Sequence, residues 1–530
     1  MRNERVGIAL VPDGADDQSG VIAFLSSHSA YPAHPPAVER LETHGAFVFL
    51  AGAEAYKIKR AVRFSYMDFS IRDKRRRAIE RELAINQPHA PGIYLGVLAI
   101  TRDADGQLAL GGDGEPVEWA LRMRRFDQAD LLSARADRSI LEVSLCRKLA
   151  DAAYAFHRSA PVSMTTDSSE QMRAVAHDIA EALAISSPAV LPAAVERFRR
   201  DAEGLAARLR PLLERRARAG FVRRCHGDLH LGNIVMWQGD PVLFDAIEFD
   251  ERLATIDTLY DLAFLIMDLD HRGQRGGANT VLNRYLWRCG SLLDLEGLAA
   301  LPLFLALRAG VRAMVTAQRA QQEKGSRKDT LLALARGYLE SGLAHLEPER
   351  PRAVAIGGLS GTGKSTLAAA LAPAIGIAPG AVHLRSDLER KALAGVEETV
   401  RLPASAYTPE STTEVYRRML EKAEIVLRAG HSVVVDAVFA KPNERAAVAA
   451  AAYRSNAPFT GLWLEAPAPA LHARVDARQG DASDATPDVV SKQLSYDLGT
   501  VEWITIDAGG SPQSTLAQAQ SPLTQVRSVS

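Results

Sequence analysis

The stretch "GLSGTGKST", residues 358–366, constrains the fold of this chain more than any other feature. Gly358, Gly363, Lys364 and Ser365 fit the spacing G-x-x-x-x-G-K-[ST], with Gly361 inside the loop. An apolar run, "AVAIGG", precedes it and "STLAAALA" follows, so the local order is strand, tight loop, helix. Such a loop turns successive backbone N–H groups toward an anion, and the start of the helix adds partial positive charge. Strands and helices alternate onward from there, which predicts a doubly wound α/β domain with a parallel sheet over 352–505.

In that loop Gly358, Gly361 and Gly363 would wrap phosphate oxygens and Lys364 would reach the β- and γ-phosphates. Ser365 would ligate Mg²⁺, and Thr366 completes the nucleotide-binding set. Asp436 ends the apolar strand "HSVVVDAVF" and is the candidate acidic partner of the metal, or an ordinary strand-end residue. Asp387, in "HLRSDLERK", is placed to hold an acceptor hydroxyl or to cap the next helix. Arg474 and Arg478 stand at i, i+4, as a phosphate clamp or as a solvated basic face. Together these residues resemble the small P-loop kinases, the group of gluconate kinase and zeta-toxin-like kinases, over about 352–505. The resemblance implies that Asp387 helps activate the acceptor and that Arg474 and Arg478 cover the phosphates from a lid.

A chain of 530 residues exceeds what one core usually holds, so a further domain is expected upstream. "EPERPR", 347–352, supplies two prolines and four charges, and 347–351 reads as the linker. Upstream, "CHGDLHLGNIV" at 225–235 places Asp228 and Asn233 after His226 in the spacing H-x-D-x-x-x-x-N. Asp228 can accept a hydroxyl proton, Asn233 can turn back to ligate Mg²⁺, and His226 can brace the loop. Asp245, twelve residues after Asn233, ends the strand "VLFD", where its carboxylate is placed to hold the metal that bridges the phosphates.

This pattern resembles the aminoglycoside phosphotransferase-like (choline kinase-like) family, over roughly 40–345 and most strongly over 224–264. Asp261-Leu262-Ala263 continues it. The resemblance implies an α+β bilobal kinase-like domain with an N-lobe at 1–126 and a C-lobe at 127–346. It also implies a strand lysine paired with a helix glutamate. Lys57 in "AYKIK" is preferred over Lys59, and Glu82 over Glu80. No G-x-G-x-x-G precedes the lysine. The order of the two domains resembles bacterial fusions of these two kinase types.

Twelve Lys/Arg against ten Asp/Glu over 251–340 leave that segment without the acidic excess a polycationic antibiotic needs. Arg308 and Arg312, i and i+4 on an apolar helix, need carboxylates such as Asp261, or an anionic acceptor. Arg75-Arg76-Arg77 reads as a solvated helix face, His157 as a packed or capping residue, and Cys225 as a buried strand residue.

The overall reading is a bifunctional ATP-dependent phosphotransferase using ATP and Mg²⁺ on small-molecule hydroxyl groups, an anionic acceptor being the alternative to internal pairing of Arg308 and Arg312. The alternatives are one active kinase fused to a nucleotide-sensing domain, and a non-enzymatic ATP-dependent binding switch. A net charge of −1 gives no pull toward nucleic acid or membrane. Three scattered cysteines and the absence of a leader-like N-terminus predict a reduced, cytosolic setting. No apolar run is read as membrane-spanning. The Ser/Gln-rich end, 506–530, is expected to be disordered.

Overall fold

The computed structural model describes residues 17–43, 45–64, 67–164, 167–186, 192–478 and 480–525. Residues 1–16 of the expected N-lobe and 526–530 of the expected tail lie outside these. The chain forms two compact units. One holds residues up to 141, 152–268 and 307–342; the other holds 142–151, 269–306 and 343 onward.

The first unit is built on a six-stranded antiparallel sheet. Its order is Val38–Glu42, Ala46–Ala51, Glu54–Lys59, Glu115–Arg124, Tyr94–Arg102, Leu108–Leu110. Strand alternation divides Glu54–Lys59 between two faces. Tyr56 and Ile58 pack with Phe49, Ile100 and Ala120, while Lys57 and Lys59 reach Glu82 on helix Arg72–Asn86. Arg75 departs from the expected solvated face. It is buried, and its Nε donates to Glu118 at 2.8 Å. The reason is helical phase, since Arg75 shares one stripe with the buried Ala78, Ile79 and Glu82. Arg76 stays outside and pairs with Glu80.

The rest of this unit is mainly helical, with two short ladders. Ile234–Trp237 pairs with Asp240–Leu243, and Val222–Arg224 pairs with Thr255–Asp257. Buried Arg216 holds Asp257 in two hydrogen bonds, tying helix Pro192–Arg218 to the second ladder.

The second unit carries a five-stranded parallel sheet in the order Val382–Arg385, Val433–Asp436, Ala353–Gly358, Phe459–Glu465, Ile504–Asp507. Its core joins Val354, Ile356, Leu367, Leu371 and Leu462. The doubly wound α/β expectation holds here, and the α+β expectation holds for the first unit.

Residues 142–151 and 269–306 group with the second unit, and helix Gly325–Leu346 ends where the linker 347–351 is expected. The tail is ordered through the described residues: Ile504–Asp507 is the fifth strand, and Pro512–Gln525 is a helix. Its Leu516, Ala519 and Leu523 form a narrow apolar stripe on the sheet core. Abundant Ser and Gln mask that stripe in composition.

The helical run Leu292–Gln321 is long and apolar enough to cross a membrane by length and composition, which the sequence reading missed. Its apolar window is 67% buried, as in a core helix.

Candidate active sites

The first site forms around strand Glu54–Lys59, helix Arg72–Asn86 and the 225–248 loops. Lys57 Nζ lies 2.8 Å from Glu82 Oε1 and 2.6 Å from Asp245 Oδ1. Lys59 Nζ lies 2.6 Å from Glu82 Oε2 and 2.5 Å from Glu248 Oε1. Both lysines are held charged. Burial works against them, but Asp245, Glu82 and Glu248 raise Lys57, and Glu248 and Glu82 raise Lys59. Only Lys57 reaches both Glu82 and Asp245.

Asp245 sits at φ +60°, a left-handed conformation unusual for a non-glycine residue. Its N–H donates to Tyr94 Oη at 3.0 Å, and the next N–H, of Ala246, donates to Asn86 Oδ1 at 2.9 Å. Burial pushes the Asp245 carboxyl up, but Lys57 outweighs it and keeps the group below the usual range.

Asn233 Nδ2 donates to Asp228 Oδ2 at 2.8 Å and to the Asp228 carbonyl at 3.0 Å. This amide closes the loop across five residues. Burial again raises the Asp228 carboxyl, but His230 at 3.4 Å and Arg312 outweigh it, so it lies below the carboxylate range. His226 braces the loop as expected, through Nε2 and the Phe244 carbonyl at 2.9 Å.

Asp261 braces the loop from beneath. It accepts the N–H groups of His226 and Gly227, and its Oδ2 lies 3.0 Å from His157 Nε2. His157, Cys225 and Asp261 are close enough to hold a metal by distance. The Asp261 oxygens are already occupied by these hydrogen bonds, so Asp261 and His157 serve as a brace, and Cys225 Sγ turns to the Ile256 carbonyl. Arg308 divides from Arg312. Its guanidinium donates to the Tyr260 and Gly227 carbonyls and stacks on Tyr260.

The second site lies at the carboxyl end of the parallel sheet. Gly361 and Gly363 have φ of +88° and +89°. A Cβ on Gly361 would come within 2.6 Å of the Leu471 carbonyl, so the loop admits only glycine there. Lys364 Nζ spans the loop to the Leu359 carbonyl at 2.9 Å. Asp436 ends the neighbouring strand, 2.8 Å from His383 Nε2. Burial pushes Asp436 up, but His383, Arg385 and Lys364 hold it below the usual range. Asp387 is raised, first by burial and then by the Asp436 charge, against the pull of Arg385 and Lys364.

The expected arginine pair is split. Helix Ala468–Asp476 ends before Arg478, so the two side chains do not share one face. Arg474 donates to the Ala508 and Gly510 carbonyls and pins the chain after the fifth strand. These bonds make it a structural tie, beside the phosphate-covering role expected of it. Arg478 lies near Asp481, at 3.8 Å, and its charge acts on Lys364.

Residues 69–301 match the phosphotransferase enzyme family, and residues 354–497 match a family described as an AAA domain. The two matched stretches contain the two sites in turn, apart from Lys57 and Lys59. An uncharacterized protein of Mycobacterium tuberculosis is 29% identical over 503 residues, covering 92% of this chain and 96% of its own. An uncharacterized protein of Mycobacterium bovis matches with the same figures. Among solved structures, a choline/ethanolamine kinase family protein from Mesorhizobium loti is 16% identical with TM-score 0.35, covering 62% of this chain and 98% of its own. A gluconokinase from Sinorhizobium meliloti is 20% identical with TM-score 0.26, covering 34% and 94%.

At the first site, sequence reasoning missed Glu248, Tyr94 and Asn86. Glu248 lies three residues after Asp245 in "DAIEFD", which was a usable signal. Tyr94 and Asn86 act through a hydroxyl and an amide contacting backbone, which no motif spacing reveals. In the P-loop domain the missed residue is His383, which alternation alone presents as an ordinary strand position.

Proposed function

We propose that the chain is a bifunctional ATP-dependent phosphotransferase, each domain transferring a phosphoryl group to a small-molecule hydroxyl. The observation that carries this reading is the joining of Lys57, Glu82 and Asp245 in one ion-pair chain. That is the arrangement phosphoryl transfer requires of a nucleotide lysine.

The residues present fit Mg²⁺ and ATP at both sites. In the first, Asn233 spends its amide nitrogen on Asp228, which leaves its oxygen for a cation beside Asp245. In the second, a Cβ on Gly358 would meet the Leu464 carbonyl at 2.6 Å, so the bare backbone forms the cradle. Asn233 and Asp245 would hold the metal in one site, and Ser365 and Asp436 in the other. Mg-ATP, when bound, supplies the transferable phosphoryl group with its charge neutralised.

Asp228, kept ionised, accepts the proton of the first acceptor's hydroxyl. Arg312, whose Nε has no hydrogen-bond partner, favours an acceptor with an anionic group beside that hydroxyl. Asp387 takes the proton in the second site, and Lys364 with Arg478 faces the phosphates.

Labelled transfer from γ-phosphate-labelled ATP into a metabolite extract tests the reading. Wild type should give two sets of labelled products, one lost in Asp228→Asn and the other in Lys364→Ala. Loss of every product in either single variant contradicts two independent activities.

A further inference from the structure

Helix Arg275–Cys289 lies within the stretch that matches the phosphotransferase enzyme family, yet it is part of the second compact unit. Its attachment there is specific. Strand Val382–Arg385 is at the sheet edge, where backbone groups need partners from outside the sheet. Asn283 Oδ1 accepts the His383 N–H at 2.7 Å, and Asn279 Nδ2 donates to the Ala381 carbonyl at 3.0 Å. These two amides, one helical turn apart, stand in for a neighbouring strand. Arg275 adds hydrogen bonds to the Pro373 and Gly376 carbonyls.

The helix walls a cavity of about 420 Å³ within this unit. Ser365 and Thr366 of the phosphate loop line it, with Arg385 and Asp481 on one side and Arg284 and Trp287 on the other. Its volume falls within the usual range of small-molecule sites. The cations along it already face carboxylates. Arg284 binds Asp151 at 2.9 and 3.0 Å, and its Nη1 lies 3.1 Å from Glu398. Arg385 binds Asp481 at 2.8 Å, and Lys422 binds Glu389 at 2.5 Å. Arg284 Nη1, Arg385 Nε and Glu389 Oε1 are buried and face Glu398, Asp436 and Arg418 at 3.1, 3.9 and 3.0 Å as ion pairs without hydrogen-bond geometry. A polyanion in such a lining would meet carboxylates. A hydroxyl both donates and accepts, so it can satisfy either member of each pair.

We propose that this cavity is the acceptor pocket of the P-loop site, that helix Arg275–Cys289 is its recognition wall, and that it takes a small uncharged polyol held by Arg284 and Asp481. The proposal rests on reading the second site as a kinase. In the reaction, the polyol oxygen forms a bond to the γ-phosphorus as the bond to the ADP oxygen breaks. The hydroxyl proton passes to Asp387, which lies between the cavity-lining Arg385 and Leu388 at the start of helix Ser386–Ala394. The products are a phosphate monoester and ADP.

The test uses the full chain carrying Asp228→Asn, so that turnover reports the second site. The probes are glucose, ribose, myo-inositol and glycerol, with gluconate and glycerol 3-phosphate as charged comparators. At least one uncharged polyol should be phosphorylated with a higher kcat/KM than either anion. Arg284→Gln and, independently, Asp481→Asn should each raise its KM about tenfold, with the KM for ATP changed less than twofold. The unchanged ATP value shows that the phosphate loop remains folded. Lys364-dependent ATP binding without transfer to any uncharged polyol overturns the acceptor class. Transfer with KM unmoved in both variants overturns the pocket. Absence of Lys364-dependent ATP binding overturns the kinase reading of the second site, and this proposal with it.

Discussion

Lys57 and Lys59 share one glutamate: Glu82 gives one carboxylate oxygen to each, at 2.8 and 2.6 Å. Their other partners separate them. Lys57 continues to Asp245, the candidate metal ligand, and Lys59 to the buried Glu248.

Replacing each lysine should therefore read differently. Lys57→Ala should weaken nucleotide binding at the first site about tenfold or more, since it removes the cation beside Asp245. Lys59→Ala leaves Glu248 buried without its cation, while Glu82 keeps Lys57, and this costs about 3–5 kcal/mol of stability. Nucleotide calorimetry and urea unfolding of both variants check this. Equal effects of the two on both measurements would contradict the division.

Asp228→Asn should lower first-site turnover on the order of a hundredfold or more while leaving Mg-ATP affinity nearly unchanged. Asp245→Asn should slow turnover comparably but need more Mg²⁺ for the same nucleotide occupancy. Titration with ATP at several Mg²⁺ concentrations separates them. Equal loss of Mg-ATP in both would show that Asp228 belongs to the metal rather than to the acceptor.

The two candidate bases are shifted in opposite directions, and this sets an order in pH. A carboxylate accepts a proton only when ionised. Asp228 is lowered, so it stays ionised well into acid and its limb lies at low pH. Asp387 is raised by burial, so second-site turnover should fall at a higher pH as the medium is acidified. Pairwise pH–rate profiles on chains with one site silenced measure the two limbs. The reverse order would remove Asp387 as the second base.

Leu523 and Ala519 seat the terminal helix on the sheet core. Leu523→Ala should destabilise the chain by about 2–3 kcal/mol. Denaturant unfolding with no change from wild type would mean that the helix contributes nothing to the core.

Much of both sites was legible because their chemistry is carried by short spacings. The glycines, Lys364 and Ser365 are adjacent in sequence, and Asp228, Asn233 and Asp245 lie within eighteen residues. What was not legible depends on which surface a helix meets. Helix Arg275–Cys289 reads as a helix, but nothing in its pattern says that Asn279 and Asn283 cap a strand edge a hundred residues later. Arg75 looked solvated in a run of three arginines, and only the phase of its helix against Glu118 buries it. Arg474 and Arg478 looked paired, and the end of a helix between them sets them apart.

Two nucleotide sites in one chain are the centre of this account, and their number can be counted directly. Calorimetric titration of the full chain with a non-hydrolysable ATP analogue and Mg²⁺ should give two sites per chain. Lys57→Ala and Lys364→Ala should each leave one, and the double variant none. A wild-type stoichiometry of one, or the loss of both sites in either single variant, would contradict it.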